Sequence, residues 1–417
     1  MKAAPFDFNT ITATCPACGL LCDDIRLEVT TSENNNNKIK VLNTNCAKAV
    51  QFFEQPFNEA TPLINGKPAS FEEAISHAAT LIKTSQQPLL TGLSTDVTGF
   101  RAVYNLAQKT NGSLQHMNAQ SMARNMKVLQ STGWQTTTLT EVKNRADVIV
   151  CFGDINAHNP RFFERFVDCN GLFVDAKNRQ IILFNTEKNN SNIQDDAAAL
   201  KHTSTGLAAA LVLPCRADDL PSITIALRAL VAGKVLKATE IAGIKISDLQ
   251  IIADKLITAK YAVLAWVAKD LDFNHAELTI QNITETVAIL NTTSRAAGLP
   301  LGGSDGDTTA NNANTWLSGL ALNDDAFNDK AEHDLVIWVN SFSTDKASPA
   351  TDKPLIVLGN LNSKIKSDVF IPVATPGLDC KGTLFRVDSA VILPLKKVRE
   401  HDLPTLSEVV SAIEKLL

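Results

Sequence analysis

Four short apolar runs constrain this chain more than any other feature. Asp147-Val148-Ile149-Val150-Cys151-Phe152-Gly153 is apolar at every interior position and is closed by an aspartate and a glycine. A strand buried on both faces reads this way, as in a parallel sheet covered by helices. Asp334-Leu335-Val336-Ile337-Trp338-Val339-Asn340, Pro354-Leu355-Ile356-Val357-Leu358-Gly359 and Asp368-Val369-Phe370-Ile371-Pro372 repeat the style. The first run lies far from the other three along the chain, so the pattern predicts two α/β units rather than one. Helical spacing at 71–83, 100–109, 246–258 and 275–290, with shorter strands at 88–91 and 112–117, fits the same class. Asn159-Pro160 is expected to open a helix, with proline in its first turn. An amphipathic helix is expected over 406–417 and a polar loop over 186–196. No short-period repeat is visible, which argues against a solenoid.

The length of 417 residues allows two to four domains at roughly 100–200 residues each. Lysine and arginine total 39 against 44 acidic residues, a net charge of −5, and a nucleic-acid binder is expected to be basic. Aromatic residues make up 6% of the chain, too few to suggest stacking platforms for single strands. The start, Met1-Lys2-Ala3-Ala4-Pro5-Phe6-Asp7, has no signal-peptide apolar core. The most apolar stretches, 206–215 and 261–268, fall well short of the ~20 residues of a membrane span. These features predict a cytoplasmic protein in a reducing compartment, with no membrane and no nucleic acid among its partners.

In that compartment, clustered cysteines more often bind metal than form disulfides. Cys15, Cys18, Cys22 and Cys46 read C-x2-C-x3-C followed by one distant cysteine. They lie in a segment, 1–60, with alternating strands at 24–30 and 38–42 and a polar, asparagine-rich loop between them. Three thiolates close together and a fourth from afar are more typical of a [4Fe–4S] cluster than of structural zinc, whose ligands commonly come as two pairs. Zinc and an empty set of thiols are the alternatives. Cys151, Cys169, Cys215 and Cys380 are scattered and read as small buried hydrophobes.

Cys15-Pro16-Ala17-Cys18-Gly19-Leu20-Leu21-Cys22-Asp23-Asp24-Ile25 resembles the start of the B subunit of formylmethanofuran dehydrogenase, a molybdopterin oxidoreductase related to formate dehydrogenase. Leu139-Thr140-Glu141-Val142-Lys143-Asn144-Arg145-Ala146-Asp147, the later His158-Asn159-Pro160-Arg161, and 368–377 extend the resemblance along the chain. It implies a domain plan: an iron–sulfur-like β domain over 1–60, a discontinuous α/β domain over 61–138 and 330–417, and a Rossmann-like α/β domain inserted at 139–329, as in formate dehydrogenase and DMSO reductase.

One departure bears on function. The family binds its tungsten or molybdenum through cysteine or selenocysteine followed by histidine. Counting back from Leu129-Gln130 and Gly133 places Ser121 and Met122 at those positions, with no cysteine between Cys46 and Cys151. A serine hydroxyl is a hard ligand and a poor substitute for a thiolate, and methionine cannot carry a proton as histidine does. No catalytic residue is therefore expected here, and no tungsto- or molybdopterin. The remaining pterin-region candidates are Gly302, Gly303 and Asn314 in a glycine- and asparagine-rich loop, which reads equally as an inter-domain loop. Lys48 is another, at a position where the superfamily has a basic residue between cluster and pterin, and a solvated lysine is its other reading. The turn at 377–383 has similar standing. The histidines, at 77, 116, 158, 202, 275, 333 and 401, match no metal or catalytic spacing.

A pterin-free relative is implied to be a non-redox structural subunit of a formyltransferase/hydrolase complex in methylotrophic, tetrahydromethanopterin-linked oxidation of formaldehyde to formate. Its partners would be the formyltransferase, a zinc amidohydrolase and the C subunit, together with a methanofuran-like carrier. The rival readings are an active tungsten or molybdenum formylmethanofuran dehydrogenase subunit, and an electron-transfer or zinc module.

Overall fold

The computed structural model describes residues 10–31, 37–57, 61–186, 211–322 and 333–417. The chain forms two compact units: Met1–Ala119 with Gly303–Leu417, and Gln120–Gly302.

The first unit carries a seven-stranded mixed sheet. Its order is Lys67–Pro68, Leu63–Ile64, Val369–Val373, Leu355–Asn360, Leu335–Asn340, Pro88–Ser94, Ser113–His116. The last five run parallel, while Leu63–Ile64 pairs antiparallel to Val369–Val373. Every residue of Pro88–Ser94, Leu335–Asn340, Leu355–Asn360 and Val369–Val373 is buried, which is why these strands read as continuous apolar runs. Helix Leu406–Glu414 packs on both Phe71–Thr84 and Val97–Thr110 through Leu406, Val409, Val410 and Ile413. Its start and that of Phe71–Thr84 are each fixed by a capping box, at Thr405/Glu408 and Ser70/Glu73, so two otherwise orphaned N–H groups are satisfied at each end. A small antiparallel sheet, Thr10–Ala13, Ile25–Thr31 and Asn37–Val41, belongs to the same unit. The asparagine-rich loop at 32–36 lies outside the described residues.

The second unit carries a wholly parallel five-stranded sheet in the order Leu211–Cys215, Gln180–Thr186, Val148–Phe152, Ala262–Trp266, Ala296–Pro300. Helices Leu220–Val231, Ile246–Thr258 and Glu277–Leu290 cover one face, packing on Val148, Val150, Phe152, Leu264 and Trp266. Phe152 and Phe184 stack at 5.1 Å. Gly298 leaves room for Trp266: an added Cβ would stand 2.8 Å from the indole.

The edges of the inserted unit differ from the expected 139–329. Helix Ala119–Ser131 goes almost entirely with the second unit, because Val128 joins its core, Arg124 donates to Ala268 O at 3.0 Å and Trp266 Nε1 donates to Asn125 at 2.9 Å. Helix Asp307–Ser318 goes with the first, where Thr309 Oγ1 accepts the Phe385 N–H and Trp316 packs edge-on against Phe385 at 4.9 Å. Asn159-Pro160 also departs from expectation. A short helix, Ile155–His158, ends at Asn159, and Pro160 leads into a single π-helical turn, Phe163–Val167. Much of the loop expected over 186–196 lies outside the described residues.

Candidate functional site

The cysteine turn is tightly built. The Cys15 N–H donates to Cys22 O at 2.9 Å, and Leu21, in the left-handed region at φ 45°, donates to Cys18 O at 3.2 Å. Cys15, Cys18 and Cys22 are buried, and Cys46, half-buried, precedes helix Ala47–Phe53. Burial pushes the Cys15 thiol well up and the Cys18 thiol up to about 12; neighbouring cysteines add to both shifts, while backbone N–H groups of Ala17 and Leu20 and the charge of Lys48 oppose them. None of the eight cysteines forms a disulfide. The four thiols thus lie near enough to influence one another, with the Ala17 and Leu20 amides and Lys48 beside them. Their side chains do not converge as ligands: among the described residues, no three histidine, cysteine or acidic side chains meet around one point.

Gly303 lies against this turn. Its φ is +76°, and an added Cβ would stand 2.5 Å from Gly19 Cα. Val387 N–H donates to Gly19 O at 2.9 Å from the other side. The glycine pair considered for a pterin loop therefore contributes Gly303 as a close-packing contact to the cysteine turn, with Gly302 half-exposed beside it. Asn314 is buried, and its amide donates to Leu320 O at 3.0 Å, closing the end of its own helix. Ser121 and Met122 stand in the first turn of Ala119–Ser131; Met122 is buried and Ser121 is half-buried.

In open α/β sheets, ligands bind beyond the carboxyl ends of the strands, where the strand order reverses. In the first sheet that point lies between Pro88–Ser94 and Leu335–Asn340. Asp96 fills it. Its carboxylate accepts the N–H groups of Gly99 at 3.0 Å and Thr98 at 3.3 Å, capping Val97–Thr110. Gly382 closes down on it, with an added Cβ 3.2 Å from Asp96 Cβ. Burial pushes the Asp96 carboxyl up. The hydroxyls of Ser94, Thr95 and Ser341 are buried nearby without a protein partner.

In the second sheet the reversal lies between Val148–Phe152 and Ala262–Trp266. There Asp270, buried, accepts the Asp154 N–H at 2.8 Å, and its other oxygen lies 2.8 Å from His158 Nε2. Gly153, at φ +98°, passes within 3.0 Å of this carboxylate at the position of an added Cβ. A carboxylate thus stands at each reversal point, accepting backbone N–H groups of the segment that follows the strand.

Sequence reasoning also missed a buried charge cluster beside the 377–383 turn. Arg399 Nε donates to Asp379 Oδ1 at 2.7 Å, His401 Nε2 lies 3.1 Å from the same oxygen, and Thr375 N–H donates to Oδ2 at 3.1 Å. Burial works to raise the Asp379 carboxyl, but the His401 and Arg399 hydrogen bonds and charges outweigh it and hold the group below the usual carboxylate range. The Leu403 N–H donates to His401 Nδ1 at 2.8 Å.

No protein-family profile matches the chain. Its fold is similar to acetylene hydratase from Pelobacter acetylenicus, with a TM-score of 0.59 at 10% identity, covering 97% of this chain and 69% of that one. It is also similar to a chain of the formyltransferase/hydrolase complex FhcABCD from Methylorubrum extorquens, solved in complex with methylofuran: TM-score 0.70 at 22% identity, covering 85% and 98%. The fold class is thus a mixed α/β fold with parallel and mixed sheets, similar to that of these two proteins. By sequence, the chain is 25% identical over 420 residues to the B subunit of the tungsten-containing formylmethanofuran dehydrogenase 2 of Methanococcus maripaludis, covering 92% of each. A 91-residue stretch is 35% identical to the B subunit of the Fhc complex of Methylorubrum extorquens, covering 22% of this chain and 25% of that one. The chain is a homologue of the B subunits of formylmethanofuran dehydrogenase and of the Fhc complex. Among the described residues, no helix is long and apolar enough to cross a membrane.

Proposed function

We propose that this chain is a non-redox B subunit of a formyltransferase/hydrolase complex. It would assemble with the formyltransferase, a zinc amidohydrolase and the C subunit, and serve a methanofuran-like carrier in tetrahydromethanopterin-linked one-carbon oxidation. The observation that carries this reading is Ser121-Met122 at the metal-ligand and histidine positions of the resemblance. Serine and methionine there would leave a metal-pterin without the soft ligand and the histidine of the resemblance. The chain's contribution is then to hold partners and position them.

A cysteine-rich N-terminal domain is part of the proposal. Cys15, Cys18 and Cys22 of the turn and Cys46 before Ala47–Phe53 would be the residues to hold a [4Fe–4S] cluster or a zinc ion, once their side chains turn toward one another. A cluster there would supply one-electron transfer. The full-length likeness to tungsten-containing relatives favours one second reading, an active dehydrogenase subunit with serine as ligand. Metal, pterin and acid-labile sulfide analysis of the complex purified from its native host tests these readings. Co-purified transferase and hydrolase without tungsten, molybdenum or pterin are expected. Stoichiometric tungsten or molybdenum with bound pterin would overturn the proposal.

A further inference from the structure

The run Glu141-Val142-Lys143-Asn144-Arg145-Ala146-Asp147 has a place in the fold that the reading above does not use. It builds a platform on the second unit. Asn144, in helix Leu139–Arg145, accepts the Leu172 N–H through Oδ1 at 3.3 Å and the Phe173 N–H through its backbone carbonyl at 2.9 Å. Gly171 rests on the same helix, where an added Cβ would stand 2.1 Å from Lys143 O. The loop is closed on itself by Gly171 N–H to Val174 O at 2.8 Å and Ala176 N–H to Asn170 Oδ1 at 3.0 Å. From below, Arg179 donates to Val142 O at 2.9 Å and Ala146 O at 2.8 Å. Asp147 accepts the N–H groups of Lys260 and Tyr261 at 2.9 and 2.8 Å.

A loop held by this many bonds nevertheless presents its two largest apolar side chains to solvent: Leu172 is 76% exposed and Phe173 66%. Single exposed hydrophobes are ordinary, but an adjacent pair on a fixed backbone is a contact surface. Both line an open cavity of about 1040 Å³ that also takes in Arg145, Lys260, Tyr261 and Arg295. The Arg145 guanidinium lies 5.3 Å from the Phe173 ring and 6.0 Å from that of Tyr261. Arg145 is paired with Glu141 at 3.3 Å and Asp147 has both oxygens on backbone N–H groups, which leaves the exposed Lys260 and Arg295 opposite Asp175 as the cations of the cavity.

We infer that this cavity docks an acidic segment of a partner protein, with an apolar side chain of that segment against Leu172 and Phe173 and its carboxylates on Lys260 and Arg295. Arginine and aromatic residues gathered at one place are the composition of interface hot spots. The volume lies at the upper end of small-molecule clefts, ~300–1,000 Å³. The inference rests on the second unit alone and stands whether or not the proposed function does.

The test uses the full chain and a fluorescein-labelled peptide of alternating glutamate and leucine, read by fluorescence anisotropy. A lysine–leucine peptide and an oligothymidine serve as comparisons. The acidic peptide is expected to bind and to weaken as salt rises. Phe173→Ser, and separately Arg295→Gln with Lys260→Gln, should each weaken it about tenfold with the melting temperature unchanged. No binding, equal binding of the lysine peptide, preference for the oligothymidine, or affinity that survives both variants would overturn the inference. So would self-association of the chain that the same substitutions abolish, since the occupant would then be a second copy.

Discussion

The two α/β units end their central strands on aspartates that act over different distances. Asp96 follows Pro88–Ser94 directly and bonds the first turn of the next helix, Val97–Thr110. Asp270 comes from beyond Ala262–Trp266 and reaches to Asp154 and His158, which follow the neighbouring strand Val148–Phe152. The first closure is local and belongs to the helix it caps. The second ties two strand ends that are distant in the chain. In the first unit the long-range tie is supplied elsewhere, by Asp379 with Arg399 and His401. One kind of sheet edge can thus be closed either by a cap or by a cross-link, and the two should fail differently.

The largest expected effect is at the first unit's cross-link. Asp379→Ala would strand a guanidinium that is 2% exposed, a change that typically costs about 3–5 kcal/mol, read as a lowered urea midpoint. The folded-state carboxyl sits below its ordinary value. Its stabilisation is therefore fully present above the unfolded pKa and is lost as pH falls through the folded one. Asp379→Ala should accordingly remove part of the stability gained between strongly acidic and neutral pH. Retention of the full wild-type pH dependence would break the comparison.

Asp270→Ala comes next. It leaves the half-buried Asp154 N–H without its acceptor, for about 1 kcal/mol, and should raise hydrogen exchange at Asp154 while leaving Gly99 protected. Asp96→Ala is of similar size, about 1 kcal/mol for a lost N-cap, with the exchange pattern reversed. Asp96→Asn is smallest, because asparagine caps as well as aspartate. Burial raises the Asp96 carboxyl, so ionisation of this group costs stability above its folded pKa and the cost disappears as pH falls through it. The asparagine variant should be as stable as wild type or more so at neutral pH, by thermal melting. A loss there would show that the charge, not the cap, matters.

Much of the architecture was legible because its signals are local. Asp334–Asn340 and Asp147–Gly153 read as buried parallel strands from composition alone, and the structure pairs them as central strands of separate sheets. The edges of the inserted unit were not legible, because Arg124 and Asn125 declare their side only through Ala268 and Trp266, far along the chain. Pro160 misled for a similar reason: its rule describes a helix start, whereas Asp154 had already begun and Asn159 ended a shorter helix just before it.

By itself the sequence determined the α/β class, the cysteine spacing, and the serine and methionine at positions 121 and 122, since each is a matter of residue type and local order. Only the tertiary structure decided what stands at the sheet edges and where Gly303 and Asn314 are used. It also decided that the run at 141–147 supports a loop with two exposed hydrophobes. Those outcomes depend on which distant residues share a few ångströms, and hydrogen bonding and close packing act at that range whatever the separation in sequence.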